Sequence, residues 1–357
     1  IATSLLLKFY FSVEAQFPRP CMTPENGSPS GFSSVLPKPV DYWVDWPRVF
    51  YDSVCTCWGN YDGYDCNQCL PGWTGQCLQS NDTTVEGNYV FHNTNVYDLY
   101  VWMHYYSAKS SAGSENNAAH RAPAFIFWHR VFLLFIEGEM RELTGNQDFY
   151  IPYWDWTRTN HCNICTNEYF GGVGQDGLID STSLFSKWKV RCPSQSLPDN
   201  PVYKTLPIAA NAEDTMATAL FDTPPFDKTS WNSFRNKLEG RFNSKTGQIL
   251  EWHNVPTAAN DPIFTLHHTF IDKLLETWLQ DHGEATYHDT DHVHPAQRAQ
   301  AYMAPFFPLR TNNYYWGRDT QSLGYNYKEH SLSHSAARNS GRRGAAGRHD
   351  CKNILNK

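Results

Sequence analysis

The sequence predicts a mainly α protein with a small disulfide-rich module near its N-terminus. Apolar residues recur at helical spacing in three segments beyond residue 95, which predicts helices there. Five of the ten cysteines lie between positions 55 and 77, among glycine, asparagine and aromatic residues. Such clustering is typical of small domains that disulfides stabilise, and we assign residues 16–80 to an EGF-like module.

Residues 1–15 are predicted to be the remnant of a secretory signal peptide, because an apolar run around Leu5–Leu7 leads to Ala15. Lys8 interrupts this run, so a buried strand or the start of a helix is the alternative. No later stretch reaches the roughly 18 consecutive apolar residues that a membrane-spanning helix needs. The sequence therefore predicts no membrane anchor in this chain.

The cysteine module is consistent with the secretory pathway, because disulfides form in oxidising compartments. Zinc binding by these cysteines is the competing interpretation, but a matching second C-x2-C pair is missing. Asn26 and Asn81 each begin a sequon for N-glycosylation. We therefore predict a glycoprotein of the secretory pathway.

The distribution of charge excludes one class of partner. The formal net charge is −7 although residues 331–357 are rich in lysine and arginine, so the rest of the chain is more acidic still. An acidic body argues against a nucleic-acid partner. The basic tail, 331–357, is also rich in glycine, serine and alanine, and we predict that it is disordered.

The first predicted helix carries a histidine on its apolar face. Val96, Leu99 and Tyr100 follow helical spacing, and Met103 and His104 extend the pattern. A lone histidine on such a face is usually a core residue with satisfied hydrogen bonds. His104 therefore gains importance only together with other histidines.

Two further histidines flank an aromatic segment. His120 precedes Pro123, which predicts irregular or extended backbone. From Trp128 onward, apolar residues resume helical spacing, which predicts a helix that carries His129 in its first turn and ends at Gly145. The aromatic residues between the two histidines are expected to fix the imidazole rings and keep water away.

A connector and a cysteine pair follow this helix. The aromatic segment Ile151–Trp156 breaks helical periodicity and is predicted to be a rigid core connector. Cys162 and Cys165 form a C-x-x-C pair, for which the secretory context favours a structural disulfide over redox chemistry.

The last predicted helix has the clearest ends. Asn260–Pro262 supplies an N-cap followed by proline at the first helical position, and Gly283 ends the helix. His268 shares the apolar face of this helix. His267 lies about 100° away around the axis, so the two histidines cannot readily bind the same ion.

The histidines form two sets that predict two adjacent metal ions. His104, His120 and His129 make up the first set, and His253 and His268 make up a second set that is one ligand short. Histidine ligands without nearby cysteine or carboxylate favour copper or zinc.

These segments resemble the tyrosinase family of copper oxidases, in particular its animal, melanosomal branch. The resemblance spans most of residues 41–330. Its motifs are Phe17–Cys21, Tyr97–Tyr106, His120–Arg130, Ile151–Trp156, Asn260–Asp272, Tyr302–Leu309 and Leu323–Tyr325. It implies a domain at 85–330, in which a four-helix-bundle core supplies histidines to two copper ions with dioxygen between them.

Residue by residue, the resemblance assigns His104, His120 and His129 to the first copper ion. His253 and His268 match ligands of the second copper ion.

Two residues close to His253, Asn254 and Thr257, bear on what the resemblance implies for the second copper site. Asn254 matches the asparagine that the family uses to orient a water molecule, which takes the proton of a phenol. Thr257 stands where the family has its middle ligand, and the surrounding segment is shorter than in the family. The resemblance thus implies a weakened second site in an incomplete or variant chain. Candidate replacement ligands, in a loop that we expect to be exposed, are His282, His288, His292 and His294.

The resemblance implies copper-dependent oxidation of phenols and catechols to quinones by dioxygen, in melanin-type pigment synthesis in a melanosome or outside the cell. A zinc-containing tautomerase of the same family is one alternative. Its zinc-type relatives carry leucine where this chain has His267, so His267 favours the oxidase and is assigned a catalytic role at the substrate mouth. A partly buried surface histidine is the other interpretation of His267. A non-catalytic relative is a further alternative, because the second set lacks a ligand.

Overall fold

The computed structural model describes most of the chain beyond residue 95 and four short segments before it. The described residues are 27–30, 54–57, 61–62, 68–69, 96–109, 117–172, 174, 179–187, 207–240, 255–283, 285–306 and 310–327. Within these ranges the chain is mainly α, as the sequence predicts. The predicted signal peptide and basic tail lie outside them, as does most of the cysteine module.

The three helices that periodicity predicts are the long helices of the structure. The α-helices of the described ranges are α1 (Val96–Ala108), α2 (Phe125–Thr144), α3 (Ala209–Met216), α4 (Phe234–Leu238), α5 (Ile263–His282) and α6 (Asn312–Tyr315). Short 3₁₀ helices lie at Trp156–Arg158, Leu184–Lys187, Val255–Asn260, Pro295–Gln297 and Gln321–Leu323. None of the described helices combines the length and the apolarity that crossing a membrane requires.

Two small antiparallel sheets lie inside the region predicted to be the cysteine module. Strand β1 (Gly27–Ser30) pairs with β2 (Val54–Cys57), and β3 (Tyr61–Asp62) pairs with β4 (Gln68–Cys69). The disulfide pairing of the module and its EGF-like character remain predictions.

Helix α2 begins earlier than its periodicity predicts. The N–H of Phe125 donates to the carbonyl of Ala122 over 3.1 Å, and the helix starts at Phe125. His129 therefore lies in the second turn, and the prediction of the first turn was wrong. Periodicity misses the start because the aromatic residues of the first turn are buried on all sides. Gly145 ends the helix with a φ of 66°, as predicted.

Helix α5 ends at Gly283 as predicted, but it begins at Ile263, so Pro262 occupies the N-cap and not the predicted first helical position. The carboxylate of Asp261 accepts the N–H of Ile263 over 2.9 Å, which satisfies a donor of the first turn. Gly283 follows the last turn with a φ of 85°, where any other residue would be strained.

The long helices pack into one apolar core. Helix α2 packs on α5, and α1 packs on the 3₁₀ helix Val255–Asn260. The Tyr97 hydroxyl donates to the carbonyl of Ala259 over 3.0 Å, and the Tyr100 hydroxyl donates to that of Phe135 over 3.1 Å. Each tyrosine thus fills the core with its ring and ties α1 to a neighbouring element with its hydroxyl.

A buried polar network also joins α2 to α5. The Nε of Arg130 lies 2.5 Å from Asp272 Oδ1, and its Nη2 lies 3.4 Å from Glu276. Asp272 Oδ2 accepts the hydroxyls of Tyr325 and Tyr327, each over 2.6 Å. Burial raises the pKa of both tyrosines well above the usual value, so both hydroxyls stay protonated and donate. Every charge in this cluster is therefore paired, as buried charges require.

Beyond α2, a side-chain hydrogen bond joins the aromatic connector Ile151–Trp156 to the segment of Cys162 and Cys165. Cys162 and Cys165 form a disulfide, which confirms the predicted pairing. Asn163, between them, accepts the indole N–H of Trp154 over 2.9 Å. The backbone N–H of Trp154 donates to the carbonyl of Leu266 over 3.0 Å, and this bond anchors the connector to α5.

Candidate metal centre

Three histidines converge between α1 and α2. His104 projects from α1, His129 projects from α2, and His120 lies on irregular backbone before α2, as predicted. Each is at most 4% exposed, and one ring nitrogen of each lies within 4.8 Å of the others. The structure thus brings together the three residues that the sequence groups as the first set.

Backbone carbonyls fix the orientation of two of these rings. His104 Nδ1 lies 3.3 Å from the carbonyl oxygen of Pro256, and His129 Nδ1 lies 2.7 Å from that of Phe125. A carbonyl can only accept, so each Nδ1 carries the proton and each Nε2 keeps its lone pair. Both Nε2 atoms are buried and have no hydrogen-bond partner among the described residues. The set therefore fits a metal ion, because metal-binding histidines typically donate their other N–H in this way.

Burial keeps the imidazoles of His104 and His129 neutral. Desolvation lowers the pKa of His104 to about 4, although the Pro256 carbonyl partly opposes this shift. Burial also lowers the pKa of His129 well below the usual value, with a further contribution from His104. Neutral imidazole is the form that binds metal ions.

Side-chain amides hold the irregular backbone around His120. Asn117 Oδ1 accepts the N–H groups of Ala119 and His120 over 3.1 and 2.8 Å. Gln297 Nε2 donates to the carbonyls of Asn117 and His120 over 2.7 and 2.6 Å, while its Oε1 accepts the N–H of Ala124 over 3.1 Å. Our sequence reasoning missed both amides, and nothing in their local sequence identifies Gln297 as a neighbour of His120.

His268 lies directly beside the first set. Its ring stacks on that of His129, with centroids 4.2 Å apart and planes 9° apart. The ring of Phe264 also contacts that of His268, with centroids 4.2 Å apart and planes tilted by 43°. His268 Nδ1 is buried and has no hydrogen-bond partner among the described residues. The structure therefore places a predicted ligand of the second set in contact with the first.

His267 is a buried residue of the site. It is 7% exposed, its ring lies 5.4 Å from that of His268, and burial lowers its pKa to about 4. The interpretation of His267 as a surface histidine was wrong, because the connector covers this side of α5 with the ring of Trp156 at 6.3 Å.

The structure describes the other candidate residues only in part. His253 and Asn254 lie outside the described residues. Among the residues that are described, the cluster of three close ligand atoms contains only the first set. His288 instead stacks on Phe226 at 4.1 Å, and His294 accepts the N–H of Ala296 over 3.2 Å.

A cavity of about 40 Å³ opens beside His104, His120, His267 and His268. Its lining includes two charged residues that our sequence reasoning did not single out, Arg121 and Glu239. Glu239 Oε1 accepts the N–H of Arg121 over 2.7 Å, and Glu239 Oε2 lies 3.9 Å from Arg235. The position of Arg121, directly after a predicted ligand, was the available signal. The other residues that line the cavity are His104, His120, Phe125, Leu238, Val255, Ala258, Phe264, His267, His268 and Ile271.

Comparisons with known proteins agree with this geometry. Residues 94–281 match the family model described as the common central domain of tyrosinase. The chain is 33% identical to a tyrosinase of Canis lupus familiaris, over 81% of this chain and 71% of that protein. It is 30% identical to a tyrosinase of Oryzias latipes, over 91% and 83%, and 28% identical to a 5,6-dihydroxyindole-2-carboxylic acid oxidase of Ambystoma mexicanum, over 91% and 85%. The chain belongs to the tyrosinase family.

Proposed function

We propose that this protein binds copper and uses dioxygen to oxidise phenols and catechols to quinones. The observation that carries this proposal is the cluster of His104, His120 and His129, whose ring nitrogens lie within 4.8 Å of one another. A buried, all-nitrogen donor set in which burial lowers the pKa of His104 and His129 suits copper. When bound, copper supplies the electron transfer between the phenolic ring and dioxygen, which no protein side chain supplies.

Ligand roles follow from the position of each histidine. We assign His104, His120 and His129 to one copper ion and His253 and His268 to a second. The contact of His268 with His129 supports two adjacent sites. The second set has one histidine fewer, so the second ion should bind more weakly.

The other residues of the cavity orient the substrate and handle its proton. The rings of Phe125 and Phe264 cover the histidines and limit the access of water. Glu239 is the carboxylate of the cavity wall, and we assign it the proton that a phenol loses on binding. Asn254 would orient the water molecule that transfers this proton, and His267 would contact the substrate ring from α5.

We also propose the domain organisation of the chain and the compartment in which it acts. Residues 85–330 would form the oxidase domain, attached to the cysteine module at 16–80. The chain would enter the secretory pathway and act in melanin-type pigment synthesis, in a melanosome or outside the cell. Glycosidase treatment tests passage through that pathway. It should increase the gel mobility of the original chain, and the Asn81→Gln variant should lack the part of this shift that a glycan at Asn81 causes.

Metal counting combined with turnover tests the function. The chain is produced in an oxidising host and loaded with copper, and both bound copper and catechol oxidation are measured. We expect copper binding and turnover in the original chain, and loss of both in a His129→Gln variant. A matched His161→Gln variant should retain both, because His161 is exposed and its side chain contacts its neighbour Asn160. Stable zinc loading without oxidation would support the tautomerase instead, and a chain that binds neither metal would support the non-catalytic relative.

A further inference from the structure

A series of aromatic rings leads away from the cavity, beginning at His267. Between ring centroids, Trp156 lies 6.3 Å from His267, and Phe270 lies 5.2 Å from Trp156. Tyr153 stacks on Phe270 at 5.9 Å, and Tyr327 lies 6.2 Å from Tyr153. We call these five residues the aromatic path. It connects the wall of the cavity to Tyr327, which is partly exposed.

Trp156 has the surroundings of a residue that passes an electron on and keeps its proton. Tryptophan and tyrosine give up an electron more readily than most side chains, because their electron-rich rings delocalise the charge that results. The indole Nε1 of Trp156 is buried and has no hydrogen-bond partner among the described residues. An oxidised Trp156 therefore finds no acceptor for its proton among these residues, and it stays a cation that takes an electron from a neighbouring ring.

Tyr153 is next along the path, but it lies beside a positive charge. Lys273 Nζ lies 4.5 Å from the ring centroid of Tyr153 and 3.4 Å from its hydroxyl oxygen. An ammonium group can only donate, so it cannot take the proton of the hydroxyl. Its charge also opposes a second positive charge on the ring. Tyr153 thus bridges Trp156 and Tyr327, but an oxidising equivalent is not stabilised on it.

Tyr327 differs from Tyr153 because its hydroxyl has a base. The hydroxyl donates to Asp272 Oδ2 over 2.6 Å, the length of a hydrogen bond to an ionised acceptor. A tyrosine that loses an electron becomes a very strong acid, so a carboxylate within hydrogen-bond reach receives its proton in the same step. We propose that Tyr327 is a redox-active residue, which collects oxidising equivalents that leave the metal centre along the aromatic path. This proposal rests on the proposed function, since copper and dioxygen supply the oxidant.

Electrons and protons balance in this transfer. Trp156 gives one electron to the copper centre when dioxygen has oxidised it and no phenol is present. Tyr327 then gives one electron to Trp156 and its hydroxyl proton to Asp272 Oδ2, which leaves a neutral tyrosyl radical and a restored indole. A one-electron reductant in solution, such as ascorbate, reduces the radical, and the proton returns from Asp272. The histidines of the centre are thereby protected from oxidation.

Electron paramagnetic resonance tests the proposal. The copper-loaded protein is mixed with hydrogen peroxide in the absence of a phenol, frozen, and measured for the narrow signal of an organic radical. Ring-deuterated tyrosine should narrow this signal further, which identifies it as tyrosyl. We expect Tyr327→Phe to lose most of the signal. Trp156→Phe should lose it as well, because the path is interrupted.

Matched variants separate the path from a general effect of losing an aromatic residue. Tyr150→Phe and Trp231→Phe make the same substitutions at residues that are 68% and 66% exposed, and both should keep the signal. Bound copper is measured in every sample. If Trp156→Phe binds less copper, Tyr327→Phe decides alone, because it removes only a hydroxyl and keeps the ring. An unchanged signal in Tyr327→Phe, or an equal loss in Tyr150→Phe, would overturn the proposal.

Peptide mass spectrometry of the same samples tests the protective role. We expect more oxidation of His104, His120 and His129 in Tyr327→Phe than in the original chain, because oxidising equivalents then stay at the centre. Equal oxidation in the two chains would contradict this role.

Catechol turnover by the same preparations separates this inference from the proposed function. A radical that depends on Tyr327, in a chain that does not oxidise catechols, would contradict the proposed function but retain the aromatic path. Catechol oxidation without the radical would contradict the path alone. A chain that binds no copper would contradict both.

Discussion

Two kinds of backbone hold the histidines of the first set, and different forces fix them. His104 and His129 lie on helices whose apolar faces pack into the core, and each ring donates to a carbonyl of the surrounding backbone. His120 lies on irregular backbone that is held by the side-chain amides of Asn117 and Gln297. Apolar packing therefore positions the two helical histidines, whereas a few specific hydrogen bonds position His120.

This difference indicates where the centre is sensitive to substitution. Packing is distributed over many contacts, so the loss of one contact shifts a helical ligand little. The exception is the buried pair of Arg130 and Asp272, which joins the helices of His129 and His268. The position of His120, in contrast, depends on the hydrogen bonds of two side-chain amides, those of Asn117 and Gln297.

The largest effect is expected where the two ligand helices are joined. Asp272→Ala leaves Arg130 buried without its main partner and removes the acceptor of Tyr325 and Tyr327. We expect a loss of about 3–5 kcal/mol in the free energy of unfolding, measured by urea titration. Asp291→Ala is the control, because Asp291 is 91% exposed and should change stability by less than about 1 kcal/mol. Equal effects would show that the buried pair does not stabilise the contact between the helices.

The next effect tests the anchoring of His120. Gln297→Leu keeps the size of the side chain but leaves the carbonyls of Asn117 and His120 and the N–H of Ala124 without partners. We expect a loss of about 2–3 kcal/mol, since buried polar groups become unsatisfied. Copper affinity, measured by competition with a chelator, should fall about 10–100-fold.

Gln321→Leu, at an exposed site, is the control for this change. Wild-type copper affinity in Gln297→Leu would show that His120 is positioned by packing, and would remove the distinction between the two kinds of backbone.

A smaller effect should follow the loss of the second amide. Asn117→Ala removes the acceptor of two backbone N–H groups beside His120, and we expect a loss of about 1–2 kcal/mol in thermal or urea unfolding. Asn146→Ala removes the same kind of bond at an exposed turn and should cost less. A larger loss in Asn146→Ala would contradict the importance of burial at Asn117.

The smallest effect is expected from one tyrosine of the buried network. Tyr327→Phe removes a hydroxyl bound to Asp272, while Tyr325 and Arg130 remain, so about 1 kcal/mol should be lost. Tyr150→Phe is a matched control at a residue that is 68% exposed. A loss above that of Asp272→Ala would mean that Tyr327 acts through other contacts.

The sequence predicts the positions of the helical histidines well because the pattern that places them on helices is local. Helical spacing places His104, His129 and His268 on helices, and Gly283 ends α5 as predicted, whereas α5 begins one residue after the predicted start at Pro262. The start of α2 was placed three residues too late, since a first turn that is buried on all sides has no amphipathic pattern.

The remaining contacts of the site are not local. Gln297 lies 177 positions from His120, and Asp272 lies 142 positions from Arg130. No periodicity or motif within either segment specifies such a partner. The resemblance to tyrosinases groups the ligands, but it does not identify the amides that hold them or the charges that line the cavity.

The hydroxyls of Tyr325 and Tyr327 have a consequence for the extent of the folding unit. They enter the space between the ligand helices and complete the hydrogen bonds of Asp272 from a segment more than 50 positions further along the chain. The helices alone therefore do not make a self-sufficient core. A shortened version that stops before Tyr325 would still contain His104, His129 and His268 on their helices, yet the carboxylate of Asp272 would lack two of its donors. Stepwise shortening from the C-terminal side should thus meet a sharp limit at Tyr327 rather than a gradual decline.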